Sequence, residues 1–324
     1  MEDLNNGEIE RQENFAEFKS LPDGGKDFDW NLYAQECFGG QWPSNTSDWL
    51  ESVDQIAKAR ENDVNSSCDL PQIDLMAANE LQRVIIANYT LNIMKFAAND
   101  KNSPNRLLIQ GTAGVGKTFT IVALTYIARR LFRRNNAVMN LAPTGAASIL
   151  LPNGKTVHST TNIPRKHTKN GKSIQLLDVP LSSKALRQLR EKTGSVLENE
   201  QMKLILLNLD ERGMYSARNL AWCCQRFKES TANFTDTFGA IPSVNFFGDL
   251  GQLGPVQAMD LHVEPLSSDA PDKLAGYGIY RSFDDCIVLD QTMRQGPDQL
   301  EFLNILLRVR DCLLYTSPSP RDRG

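Results

Sequence analysis

The sequence is poor in the residues that mark several common protein classes. Its six cysteines (Cys37, Cys68, Cys223, Cys224, Cys286 and Cys312) form no C-x-x-C pair, and there are only three histidines. That argues against a zinc site or a disulfide framework and fits a reducing compartment. No apolar run approaches the roughly 20 residues that a membrane helix needs. The first residues, Met1-Glu2-Asp3-Leu4-Asn5-Asn6, lack the basic start and apolar stretch of a secretory signal and are too acidic for a mitochondrial presequence. Internal repeats are missing too. A strong overall charge is also missing: charged residues make up 23% of the chain and the net charge is -4, so the bulk balance demands neither a nucleic acid, nor a membrane, nor disorder. What is present is a chain of 324 residues, 41% hydrophobic, long enough to bury a full core in one large domain or two smaller ones.

The charge is unevenly spread. Residues 1–70 hold 16 acidic and 5 basic side chains, which leaves 30 basic against 23 acidic from Pro71 onward. The first segment, broken by Gly24-Gly25, Gly39-Gly40 and Pro43-Ser44-Asn45, reads as an acidic, loosely ordered arm whose aromatics Trp30, Trp42 and Trp49 would dock it onto the body. The mildly basic remainder is weak evidence for a groove that follows a phosphate backbone. Arg129, Arg130, Arg133 and Arg134 share one helical face, where a solvated basic stripe is the commoner reading and a DNA contact the rarer one.

Beyond Pro71 the pattern is α/β. Apolar residues at Leu81, Val84, Ile85, Tyr89, Ile93 and Phe96 recur three or four apart, predicting an amphipathic helix within Leu75 to Ala98. Short apolar strands are expected at Leu107 to Ile109, Ala137 to Leu141, Leu204 to Leu209, Val244 to Phe247 and Ile287 to Leu289. The segments between them are long enough for crossover connections, so the sheet should be parallel with flanking helices. Residues 152–201, rich in Lys, Asn and Ser, read as a small inserted subdomain on the rim.

Between the first strand and a helix from Thr118 to Leu131 lies Gly111-Thr112-Ala113-Gly114-Val115-Gly116-Lys117-Thr118, a complete phosphate loop in the strand-loop-helix context it requires. Its glycines let backbone N–H groups turn around a β-phosphate, and the helix aims its positive end at the same anion. Lys117 would bridge β and γ oxygens, and the Thr118 hydroxyl would ligate Mg²⁺, so the nucleotide is expected to be MgATP. A strand-terminal Asp210-Glu211 pair supplies the second requirement of such a site: Asp210 for the metal, Glu211 as general base for the attacking water. Gly248-Asp249-Leu250-Gly251-Gln252-Leu253 follows another strand. There Gln252 would orient water or sense the γ-phosphate, whereas Asp249 reads equally well as a structural cap.

Together with Ala142-Pro143-Thr144-Gly145-Ala146-Ala147, Thr156-Val157-His158-Ser159 and Arg294-Gln295, these motifs occur in an order that resembles the Pif (petite integration frequency) family of superfamily 1 DNA helicases, over about Leu75 to Arg310. The resemblance implies a P-loop NTPase with a RecA-like sheet. It implies ATP hydrolysis coupled to 5′-to-3′ movement on single-stranded DNA and duplex junctions, as a monomer. It also implies roles in DNA repair, recombination and telomere maintenance, in the nucleus or alternatively the mitochondrion. By the same resemblance Arg294 would neutralise charge on the γ-phosphate, Gln82 with Asn79 would recognise adenine, and Thr144, Gly145, His158 and Ser159 would contact the DNA strand. For His158, a packed loop histidine is the competing reading.

The chain departs from that pattern at three places: Gly213 replaces a serine after the acidic pair, Gly254 replaces a proline, and polar Asn208 interrupts an apolar strand. They motivate an alternative, a degenerate transposon-derived copy that binds ATP or DNA without unwinding. Residues 71–311 would form the first motor domain, with the second RecA-like domain not included in the chain. Residues 312–324, Cys312 to Gly324, resemble the translation of a sequencing adapter and are expected to be a non-native tail.

Overall fold

The computed structural model describes residues 19–20, 46–59, 68–97, 104–164, 168–169, 172–173, 179–194, 203–249, 251–252, 254–255, 258, 260–283 and 285–291. In chain order the principal elements are α1 (Thr46–Ala59), α2 (Glu80–Ala97), β1 (Asn105–Gly111), α3 (Lys117–Phe132), β2 (Val138–Ala142), α4 (Gly145–Ile149), α5 (Val157–Thr161), α6 (Ser183–Thr193), β3 (Leu206–Leu209), α7 (Ala217–Thr231), β4 (Ser243–Gly248), α8 (Pro271–Arg281) and β5 (Asp285–Leu289). The five strands lie in the order β5-β1-β4-β3-β2, every pair parallel, with two-residue strands at the edges: Lys19–Ser20 beside β5 and Lys155–Thr156 beside β2. This is the α/β, RecA-like parallel sheet flanked by helices that the sequence predicts, and all five expected strands are present.

Alternate strand residues feed two cores. Leu107, Ile109, Ile205, Phe247 and Ile287 pack under α1, α2 and α3. Leu108, Leu207, Leu209, Val244, Phe246 and Cys286 pack under α7, with Tyr280 of α8 and Leu189 of α6. A sheet covered on both faces accounts for strands that are apolar throughout rather than alternating. The C-terminal strand ends then form the edge at which a ligand can reach polar groups.

One polar row crosses the first of these cores. Asn140, Asn208 and Asn245 stand side by side in register on β2, β3 and β4, each at most 2% exposed. Asn245 Nδ2 donates to Asn208 Oδ1 (3.1 Å) and Asn208 Nδ2 to Asn140 Oδ1 (2.8 Å). Asn140 Nδ2 donates to Thr125 Oγ1 of α3 (3.2 Å) and to the Pro152 carbonyl (2.8 Å). The asparagine that interrupts the β3 pattern is therefore the centre of a buried ladder.

A further difference from the sequence reading concerns the segment that precedes the domain. Within the stretch expected to be a loose arm, α1 is a helix docked on α3, with Val53 and Ala57 buried. Its Asp54 carboxylate takes two hydrogen bonds from Arg130 (2.7 and 2.6 Å), which holds that carboxyl below the usual range. Arg129 donates to the Asp69 carbonyl (2.9 Å). Of the four arginines expected on one helical face, Arg129 and Arg130 are thus engaged by residues upstream, whereas Arg133 and Arg134 lie beyond the end of α3 at Phe132. The Asp54–Arg130 pair and two buried apolar side chains hold α1 in place despite a composition that suggests disorder. On the rim, Lys155–Thr156 joins the main sheet, Thr168–Lys169 pairs antiparallel with Lys172–Ser173, and α6 packs against α7.

Candidate active site

The phosphate loop is set from both sides. Gly114 (φ 88°) and Gly116 (φ 85°) adopt the left-handed conformation, which glycine enters without steric cost and which lets α3 start at Lys117 directly after the turn. Lys117 Nζ donates to the carbonyls of Gly111 (2.7 Å) and Thr112 (2.9 Å), so the ammonium is already drawn across the loop's mouth. Beneath the loop, Asn79 and Gln82 form a reciprocal cap at the start of α2: Gln82 N donates to Asn79 Oδ1 (2.9 Å) and Asn79 N to Gln82 Oε1 (3.0 Å). Gln82 is 1% exposed, and its Nε2 donates to the carbonyls of Val115 (3.3 Å) and Gly116 (3.5 Å). The structure places this residue under the loop as a brace, not on the wall of the cleft in front of it.

That cleft, open and ≈ 500 Å³ in volume, is lined by Ala113, Gly114, Gly116, Lys117, Thr118, Phe119, Ala147, Leu150, Asp210, Glu211 and Gln252. Residues from β1, β3 and β4 meet there because the parallel order sets β4 between β1 and β3, so that all three strand ends open on one side. Asp210 is 8% exposed, and its Oδ1 has no hydrogen-bond partner. Burial pushes its carboxyl up to about 6; the Glu211 backbone N–H opposes this, the Glu211 charge adds to it, and Lys117 opposes it. The unpaired Asp210 oxygen and the Thr118 hydroxyl on the same cleft are oxygen donors of the kind a hydrated divalent cation takes. Glu211 takes a left-handed backbone (φ 56°, ψ 52°), which costs a residue with a Cβ about 1–2 kcal/mol.

Of the expected site residues, Lys117, Thr118, Asp210, Glu211 and Gln252 come together with Ala113, Gly114 and Gly116, whereas Gly111, Thr112 and Val115 are not among the residues lining the cleft. Arg294 lies outside the described residues. The sequence reading missed the apolar wall of Phe119, Ala147 and Leu150. Ala147 had been within sight, as the last residue of the Ala142-to-Ala147 motif.

Thr144, Gly145, His158 and Ser159 occupy a neighbouring edge. Ala142 pairs with Thr156 in the parallel ladder, so the turns after the two strands lie side by side. Thr144 Oγ1 caps α4 by accepting from Ala147 N (3.2 Å), and Thr156 Oγ1 caps α5 by accepting from Ser159 N (3.2 Å). Gly145 and Ser159 are exposed, His158 half-buried. A Cβ on Gly145 would meet nothing within 4 Å, so the protein's own packing does not require glycine there.

A family model described as PIF1-like helicase matches residues 82–268, more than half of the chain. Among solved structures, Pif1 from Bacteroides bound to ssDNA is 21% identical, the match covering 73% of this chain and 46% of that chain with a TM-score of 0.45. The Bacteroides Pif1 helicase in complex with ADP-AlF3 and ssDNA is 22% identical, covering 74% and 47%, with a TM-score of 0.44. The Pif1 helicase from Candida albicans is 20% identical, covering 74% and 44%, with a TM-score of 0.48. The chain spans less than half the length of these solved chains. No curated protein matches it.

Proposed function

The chain belongs to the PIF1-like helicase family, and on that premise we propose that residues 71–311 are the first motor domain of an ATP-dependent, 5′-to-3′ DNA helicase. The observation that carries the reading is the single cleft that gathers Lys117, Thr118, Asp210, Glu211 and Gln252 from three strand ends. Lys117 and the loop N–H groups would bind the phosphates. Thr118 and Asp210 would hold Mg²⁺, which supplies neutralisation of phosphate charge. Glu211 would accept the proton of the attacking water while Gln252 senses the γ-phosphate, and Arg294 would add cationic stabilisation. The adjoining turns at Thr144–Gly145 and His158–Ser159 offer an exposed glycine and hydroxyl along which a DNA backbone can pass, and single-stranded DNA and duplex junctions are the partners proposed. Roles in repair, recombination and telomere maintenance in the nucleus, performed as a monomer, extend the proposal by family analogy.

The alternative of a degenerate, non-unwinding copy drew on Asn208, Gly213 and Gly254. Asn208 does not support it, since its amide is paired on both sides. Gly213 and Gly254 do still favour it. A Cβ at Gly254 would meet only the Asp260 carboxylate, with Oδ1 at 2.7 Å, the end of a side chain that can turn away, so packing does not require glycine where the family pattern has proline.

Single-stranded-DNA-stimulated ATP hydrolysis by the protein completed with its second motor domain tests the proposal. Stimulated turnover that falls by about 100-fold or more in Lys117→Ala is expected, given the weight that phosphate electrostatics carry in such reactions. ATP binding and hydrolysis unaffected by Lys117→Ala would sink it. Binding without any DNA-stimulated turnover would favour the degenerate copy.

A further inference from the structure

Behind the cleft sits a buried arginine for which the nucleotide reading has no task. Arg212 follows Glu211 directly and is 1% exposed. Its Nη2 donates to Gln110 Oε1, and its guanidinium lies over the Tyr280 ring, 6.0 Å from the centroid. Gln110, 5% exposed, is the last side chain of β1 before the first loop glycine. Its Nε2 reaches Asp249 Oδ1 at 3.5 Å. Asp249 in turn builds the turn that carries Gln252: its Oδ1 accepts from Gly251 N (2.9 Å) and its carbonyl from Gln252 N (3.3 Å). The backbone is closed up at the same point. A Cβ on Gly248 would sit 2.5 Å from Arg212 N and 2.6 Å from Arg212 Cβ, so the turn after Glu211 can press against the end of β4 only because residue 248 is glycine.

A guanidinium is costly to bury, and Arg212 spends its Nη2 donor on Gln110, a side chain that abuts the phosphate loop, while its Nε is left without a partner. We infer that Arg212 is a positioning residue: with Gln110 and Asp249 it forms a buried polar tie that fixes Glu211 and Gln252 in place against the phosphate loop. The left-handed backbone at Glu211 needs such an anchor, because a strained turn persists only where its surroundings over-determine it. The tie touches no phosphate. It sets where the γ-phosphate-facing groups stand relative to the loop that grips the β-phosphate, and the inference therefore rests on the proposed ATP site.

The test is nucleotide preference, measured on the full chain with labelled ADP and labelled ATPγS in the presence of Mg²⁺. The unmodified chain is expected to favour ATPγS by about tenfold, the worth of one charge-assisted hydrogen bond. Arg212→Met should leave ADP affinity within about twofold while removing most of that preference, since only the γ-phosphate contacts are displaced. Arg212→Lys should restore part of it, because an ammonium can still donate to Gln110 Oε1. A folded Arg212→Met that keeps the preference overturns the inference. If that variant does not fold, Gln110→Leu cuts the same tie from its other end and decides on the same criterion; loss of folding in both means a purely structural role and overturns it as well. Equal affinities in the unmodified chain would leave nothing to position and also refute it. An unmodified chain that binds neither nucleotide, or a Lys117→Ala variant that binds both as well as the parent, brings down the ATP site itself, an outcome distinct from loss of the tie alone.

Discussion

Asn208 and Asp210 stand two residues apart at the end of one strand, both buried, and their surroundings differ in kind. Asn208 has a partner on each side within the Asn140–Asn208–Asn245 ladder. Asp210 has an oxygen with no partner, and burial raises its carboxyl to about 6. Polarity in the middle of a sheet is tolerated where neighbouring strands satisfy it, and there it fixes which residue lies opposite which. Polarity at the strand end is left partly unsatisfied, and that incompleteness is the property a ligand site needs. Two polar positions on β3 that look alike in sequence thus divide into one that specifies the sheet and one suited to chemistry.

The largest way to break the contrast is Asn208→Leu. The isosteric change leaves Asn140 Oδ1 and Asn245 Nδ2 buried without their partners, at a cost of about 1–3 kcal/mol each. Since domains are stable by only about 5–15 kcal/mol, denaturant unfolding should show the midpoint falling sharply. Nucleotide affinity of the molecules that remain folded should be unchanged. A variant as stable as the parent would mean that the ladder contributes nothing.

The division between what the sequence discloses and what it hides follows the same contrast. The phosphate loop, Asp210-Glu211 and Gln252 are legible because each is a local string whose chemistry is set by residues adjacent in the chain. The five strands are legible because continuous apolar runs are needed when both faces of a sheet are covered. The ladder is not, since Asn140, Asn208 and Asn245 are meaningful only once the order β4-β3-β2 and its register are known; from sequence alone Asn208 is a blemish. Arg212 is hidden for the same reason, its partner Gln110 lying on β1. Helix α1 is not legible because composition speaks of net charge, whereas docking depends on where Val53, Ala57 and Asp54 fall relative to Arg130. Gln82 was recognised by its motif, but its reach to the loop carbonyls required coordinates.

Asp210→Asn should invert the effect of Asn208→Leu. Native Asp210 binds its proton up to about pH 6, against 3.8 in the unfolded chain. The folded state therefore holds the extra proton between those values, and stability contributed at low pH is lost as pH rises through that window, by about 3 kcal/mol at most. The asparagine variant lacks this fall. It should melt higher than the parent near pH 7.5, with the difference vanishing towards pH 4. ATPγS affinity should lose its dependence on Mg²⁺, by about 10–100-fold, as when a metal's supporting groups are removed. A variant both less stable at neutral pH and unchanged in Mg²⁺ dependence would place Asp210 with Asn208, as structure alone.

The smallest expected effect sharpens the comparison most. In the parent, Asn245 Oδ1 at the end of the ladder has no partner, so Asn208→Leu strands the whole Asn245 amide in an apolar layer. Adding Asn245→Leu removes that amide along with its desolvation cost. Only Asn140 Oδ1 is then left unpaired, because Asn140 Nδ2 keeps Thr125 Oγ1 and the Pro152 carbonyl. The double variant should regain about 1 kcal/mol or more over Asn208→Leu, a non-additivity that a double-mutant cycle of unfolding free energies reads directly. Additive losses would mean that each asparagine acts alone. Recovery would mean that the cost of a buried polar group on β3 is the cost of leaving its neighbour unpaired, the condition that Asp210 meets by standing at the strand end, open to the cleft.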